Sequence, residues 1–134
     1  MIAINHFTYT DFLSKFGVGG AHPGGIELTK EIVRTKNIDN NSRILDIGCG
    51  TGQTAAYLAS EYGAIVTGID IHPIMIEKAK KRMKKERLPV EILQCSIENV
   101  PLHDYAFDFV LSESVLSFVD KPTSLSEIYR LLKN

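Results

Sequence analysis

Residues 44–59 read ILDIGCGTGQTAAYLA. An apolar run containing Asp46 leads into glycines at 48, 50 and 52, and a helix-like pattern follows. Arg43 to Ile47 reads as a short buried strand: it is apolar, compact and closed by glycine. Thr54 to Tyr62 reads as a helix whose face of Ala55, Ala56, Leu58 and Ala59 can pack close to a sheet. Glycine permits positive φ and lets a ligand lie against the backbone. The spacing says which ligand. A dinucleotide loop reads G-x-G-x-x-G, which would put its third glycine at 53, where Gln53 stands. No Gly-Lys-Ser/Thr follows, so the Walker pattern fails too. The G-x-G-x-G spacing argues against a pyrophosphate.

The same alternation continues outward. Ala64 to Asp70 is a second strand ending in an acid, and His72-Pro73 opens a helix to about Glu86 with Ile76, Ala79 and Met83 on one stripe. Val90–Gln94 and Phe107–Ser112 are further strands. Lys121-Pro122 opens a last helix with Leu125, Ile128, Leu131 and Leu132 as its apolar face. Upstream, residues 26–36 carry helical spacing at Ile26, Leu28, Ile32 and Val33. Residues 1–25 read as an irregular, aromatic-rich cap segment. Strands alternating with helices predict a parallel sheet with right-handed crossovers and both faces covered. In such a sheet the ligand crevice lies beyond the carboxyl ends of the strands. Asp70 ends the second strand, where a carboxylate accepts both hydroxyls of a ribose and would repel a phosphate.

The bulk properties bound the function. The chain has 134 residues, a net charge of -1 and 44% hydrophobic residues, which suits one globular domain. That charge balance gives no global reason to bind nucleic acid or an anionic membrane. Cys49 and Cys95 are the only cysteines, with no metal-ligand spacing. Free thiols, with no signal-peptide pattern and no membrane-length apolar run, predict a cytoplasmic location.

At this point the chain resembles a known family. ILDIGCGTGQTAAYLA is similar to motif I of the class I S-adenosylmethionine-dependent methyltransferases, and VTGIDIHPIMIEKAKKR (66–82) to their second-strand motif. CSIENVPLHDYAFDFVLSESVLSFVDKPTSLSEIYRLLK (95–133) resembles their third-strand, fourth-strand and following-helix segments. The resemblance covers about Ile26 onward. It implies a Rossmann-like, doubly wound, three-layer α/β/α fold with S-adenosyl-L-methionine as cofactor and S-adenosyl-L-homocysteine as product. It also implies residue roles. Gly48, Gly50 and Gly52 would line the methionine and ribose portions, with Cys49 and Gln53 in the same loop. Asp46 would orient the loop and the amino-acid end, and Asp70 would hold the ribose hydroxyls. Ile71 would pack on one adenine face, Ser96 and Ile97 would meet the adenine edge, and Ser112 would lie near the methionine end. The family often carries an acid where this chain has Ser96. An uncharged acceptor makes a weaker hydrogen bond, worth about 1 kcal/mol less.

Other residues admit two readings. Asp70 could equally cap the helix at Pro73. Asp108 reads as a turn residue. Glu113 and His22 are the candidate catalytic groups: Glu113 as a general base or a holder of a substrate amine, against a solvated loop acid, and His22 as a base by residue type. His72 reads as structural or adenine-adjacent. The basic run from Lys78 to Arg87 is interrupted by Glu86 and preceded by Glu77, and reads as a solvated helix face rather than a nucleic-acid patch. A small-molecule acceptor is expected, with no nucleic-acid or membrane partner. The alternative is a cofactor-binding domain without turnover. Family members continue into further strands, so residues 26–134 are expected to form a domain truncated after the fourth strand and its helix. The order 3-2-1-4 would then leave the Phe107–Ser112 strand as an exposed edge, inviting a homo-oligomer.

Overall fold

The computed structural model describes residues 2–4, 26–112 and 122–133. In chain order these form strand β1 (Ile2–Ile4), helix α1 (Ile26–Arg34), strand β2 (Arg43–Ile47), helix α2 (Gln53–Tyr62) and strand β3 (Ile65–Asp70). Helix α3 (Pro73–Glu86), strand β4 (Glu91–Gln94), strand β5 (Phe109–Ser112) and helix α4 (Pro122–Leu131) follow. The strands build one sheet in the order β1-β5-β2-β3-β4, with β2, β3, β4 and β5 mutually parallel.

The period of two along each strand divides the core. Ile44, Val66, Ile92, Phe109 and Leu111 face one layer, where they meet Val33 of α1, Ala55 and Leu58 of α2, and Ile76, Ala79 and Met83 of α3. Leu45, Ile47, Ile69 and Val110 face the other, against Ile128 and Leu131 of α4. Ile44 and Leu45 are neighbours on opposite faces and both are 0% exposed. The three-layer α/β/α arrangement follows.

The expected exposed edge is not one. β1 lies antiparallel on β5, with Ile2 opposite Ser112, Ala3 opposite Leu111 and Ile4 opposite Val110. A strand buried on both faces needs partners for two rows of backbone donors and acceptors, and β1 supplies the second row. The predicted oligomer through this edge therefore loses its premise. The first 25 residues are also not wholly irregular, since three of them form β1. Phe107 falls outside β5: it bridges Leu132 in parallel, donating to the Leu131 carbonyl at 2.9 Å and accepting from the Lys133 N–H at 2.8 Å.

A charged clamp ties α4 to the loop after β4. The Arg130 Nε donates to Glu127 Oε1 at 2.6 Å, Nη1 to the Leu102 carbonyl and Asp104 Oδ1 at 2.8 Å each, and Nη2 to the Val100 carbonyl at 2.9 Å and Glu127 Oε2 at 3.0 Å. Glu127 Oε2 also accepts from the Val100 N–H at 2.9 Å. The guanidinium beside it holds the Glu127 carboxyl below the usual range, and Glu127 and Asp104 in turn push the Arg130 pKa further up.

Gly52 shows why motif glycines differ. Its φ is +85°, and a Cβ there would stand 2.7 Å from Met83 Cε and 3.3 Å from Ala79 Cβ. Its bareness lets the loop approach α3. Gly52→Ala is expected to destabilise the protein by about 1–3 kcal/mol, from left-handed strain plus displacement of Met83. Urea unfolding at constant m-value measures this, and an unchanged midpoint would refute it.

Candidate functional site

Strands β2, β3 and β4 end at one edge of the sheet, and the loops leaving them wall a cleft of about 330 Å³. Ile47 and Gly48 come from the end of β2 and the turn after it. Ile69, Asp70, Ile71 and His72 come from the end of β3, and Cys95, Ser96, Ile97 and Glu98 from the loop after β4. Ser124 of α4 completes the lining.

The turn after β2 is held by its own backbone. The Cys49 N–H donates to the Ile69 carbonyl and the Gly52 N–H to the Cys49 carbonyl, at 2.9 Å each. Gly48 and Gly50 have φ of +68° and +55°, and a Cβ on either would meet nothing within 4 Å. Positive φ demands glycine at these two positions, and the space beyond them is open to a ligand. Gly52 differs, since its open side is filled by α3. Gln53 is exposed as the first residue of α2. No side chain caps that helix, whose Gly52 cap is left-handed. The N–H groups of its first turn lack intrahelical acceptors, and the dipole favours negative charge there. Cys49 is buried. It packs over β3 so closely that a Cβ on Gly68 would stand 2.9 Å from its own Cβ. Gly68 lies within the second-strand stretch, but no role for it is read from the sequence; the packing reveals its need for bareness.

Asp70 is 8% exposed, and both its oxygens are engaged. Oδ2 accepts from the Gly50 N–H and Oδ1 from the His72 N–H, at 2.9 Å each. One carboxylate thus latches the turn after β2 to the start of α3. The capping alternative for Asp70 is not what forms: the N-cap of α3 is His72, no side chain caps the helix, and Asp70 accepts instead from the His72 N–H, two residues on. That bond does not exclude the ligand reading, because a carboxylate offers about four acceptor sites and two remain. Asp46 is buried at 1% exposure behind the turn.

The β4 side of the cleft mixes apolar and polar groups. Ile71 is 58% exposed at the rim, and Ile97 lies half-buried in the wall. The Ser96 Oγ accepts from the Glu98 N–H at 3.1 Å, so part of its acceptor capacity is already used. Glu98, two residues beyond the position aligned with the family's acid, brings a carboxylate to the same wall. Burial pushes the Cys95 thiol up. Ser112 ends β5 at 1% exposure, beside Ile47 in the sheet register. Glu113 and His22 lie outside the described residues. Asp108 is a joint between strands: its Oδ2 accepts from the Arg43 N–H at 2.8 Å.

The basic run lies along α3. Lys78, Lys81, Arg82 and Lys85 border an open groove beside Thr51. Two of these cations are internally compensated: Lys81 pairs with Glu77 at 3.2 Å, and Arg82 pairs with Glu86 at 3.3 Å while donating to the Thr51 carbonyl at 2.9 Å. Such exposed i,i+4 pairs describe a solvated helix face. Among the described residues no helix is long and apolar enough to cross a membrane.

Three kinds of comparison agree with this geometry. A family profile described as "Methyltransferase domain" matches residues 45–134. The uncharacterized methyltransferase YodH of Bacillus subtilis is 49% identical over 125 residues, 93% of this chain and 53% of that protein. Phosphoethanolamine N-methyltransferase 1 of Zea mays is 36% identical, over 88% of this chain and 24% of that protein. The chain thus spans about half of the first relative and a quarter of the second. Among solved structures, Haemonchus contortus phosphoethanolamine N-methyltransferase 2, in complex with phosphomonomethylethanolamine and S-adenosylhomocysteine, superposes with a TM-score of 0.76. It is 33% identical, over 88% of this chain and 28% of that one.

Proposed function

This chain belongs to the methyltransferase-domain family, and from that premise we propose that it binds S-adenosyl-L-methionine and serves methyl transfer to a small-molecule acceptor. The observation that carries the reading is the Asp70 latch. A buried carboxylate at the tip of β3 holds the glycine turn by one oxygen and the start of α3 by the other, beside open space over Gly48 and Gly50. That arrangement suits a ribose and would repel a phosphate.

The remaining roles follow the same chemistry. The free acceptor sites of Asp70 take the ribose hydroxyls. Gly48 and Gly50 admit the sulfur-bearing chain against bare backbone, and the first turn of α2 draws its carboxylate. Ile71 and Ile97 sandwich the base, while Ser96 and Glu98 offer acceptors to its amine. Ser112 stands at the methionine end, with Asp46 steadying the turn from behind.

The cofactor supplies an activated methyl group on a sulfonium, so the protein's contribution is proximity and alignment. A base is needed only where the accepting atom must lose a proton. Glu113 and His22 are proposed for that task. The N-methyltransferase relatives support a small acceptor, and the two free thiols suit a reducing compartment. Calorimetric titration with S-adenosylhomocysteine tests the reading: saturable one-to-one binding is expected. Failure to bind would overturn it, and binding without transfer to any of a broad acceptor panel would favour a module without turnover.

A further inference from the structure

Ser124 is the third residue of α4 and is 0% exposed, yet it forms part of the cleft lining with Ile47, Ile69 and Ile97. Its Oγ makes no hydrogen bond to any described residue. A buried hydroxyl without a partner is costly, and alanine would fill a helix position of this kind without that cost. The surroundings offer little relief. The face of the sheet covered by α4 is an apolar cluster that includes Ile47, Ile69, Cys95, Ile97 and the adjacent Leu125. Among the described residues no partner for Oγ is in place, and the cleft it lines can supply one, since a serine hydroxyl turns about a single torsion to meet it.

The position within the cleft says which part of a ligand arrives there. Asp70 marks the ribose. Gly48 and Gly50, with the first turn of α2 beyond them, mark the amino-acid chain. Cys95, Ser96 and Ile97, on the β4 side, mark the base. Ser124 lines the cleft together with Cys95 and Ile97, and its neighbour Leu125 packs in the same cluster as those two residues. We infer that Ser124 is a specificity residue for the purine base: its hydroxyl, donor and acceptor at once, pairs with the polar edge of the base when the nucleoside fills the cleft. This rests on the nucleoside reading above. Nothing in the motif pattern marks the residue, because α4 follows the fourth strand and carries no glycine loop or strand-end acid.

The test compares wild type, Ser124→Ala and Ser124→Cys by calorimetry with two probes, S-adenosylhomocysteine and 5′-methylthioadenosine. The second lacks the amino-acid end but keeps the base and ribose. Ser124→Ala is expected to weaken both by a similar factor of roughly ten. Ser124→Cys, nearly the same size with a weaker donor, should fall between. Without ligand, Ser124→Ala should melt no lower than wild type, since it removes an unpaired buried hydroxyl. Equal affinity in wild type and Ser124→Ala overturns the inference while leaving the nucleoside reading intact. A loss confined to S-adenosylhomocysteine overturns the base assignment. A lower melting point for ligand-free Ser124→Ala overturns it as well, by exposing a structural role. Wild type that binds neither probe overturns this inference and the nucleoside reading together.

Discussion

Asp70→Ala is expected to lower affinity for S-adenosylhomocysteine by about a hundredfold to ten-thousandfold. The carboxylate stands to accept two ribose hydroxyls, and each such bond to a charged group contributes roughly 1.5–3 kcal/mol. Two of them give about 3–6 kcal/mol, at 1.4 kcal/mol per factor of ten. The same change releases the Gly50 and His72 N–H groups, each of which now donates at 2.9 Å. Stability should therefore fall as well, by about 1–3 kcal/mol. Asp70→Asn separates the two effects. Its amide keeps one acceptor and turns a donor toward one of the two N–H groups, so part of the latch survives while the charge is gone. Calorimetry with urea unfolding on all three proteins reads out both quantities. Unchanged affinity in Asp70→Ala would remove the ribose assignment.

Arg130→Ala is expected to cost about 2–4 kcal/mol, roughly a ten-degree fall in melting temperature. The guanidinium bridges two carboxylates and two backbone carbonyls across α4 and the loop after β4. With 30% of the Arg130 side chain exposed, solvent tempers each bond. Truncation also leaves Glu127, whose side chain is only 18% exposed, without its main counterion. The pH dependence gives a second signature. The Glu127 carboxyl is held below its ordinary value by the Arg130 hydrogen bonds. Its stabilisation is therefore present above the unfolded-state value, about 4.3, and is lost as pH falls through the lower folded-state value. The gap between wild type and Arg130→Ala should narrow on acidification below about pH 4. Thermal melts from pH 7 down to 3 check this, and a gap that stays constant would show that Glu127 and Arg130 are not coupled.

The sheet order and the cleft were legible because both rest on local signals. Short apolar runs, alternating with stripes such as Ile76, Ala79 and Met83, carry their period in neighbouring residues. The glycine turn and Asp70 follow from chemistry that leaves few substitutes. Four things were not legible, each for a physical reason. β1 is three residues long and has no period to detect. The bareness of Gly68 serves Cys49, about twenty residues away, so only the assembled packing explains it. The clamp of Arg130, Glu127 and Asp104 joins residues that read alone as ordinary surface charges. Ser124 escaped for the same reason, since a serine in an amphipathic helix says nothing about what it will face.

The pairing of Ile2–Ile4 with Val110–Ser112 joins stretches more than a hundred residues apart through a ladder of three residues. Closing so long a loop sacrifices chain entropy that few contacts repay, so this pairing is a late event on the way to the native state. The same imbalance makes it an early one to come undone. Amide protons in this outer ladder should exchange with deuterated solvent well before those between β2 and β3, whose strands are joined by one short crossover. The margin of the molecule nearest Ser112 would then breathe on its own clock, while the floor beneath the glycine turn stays shut.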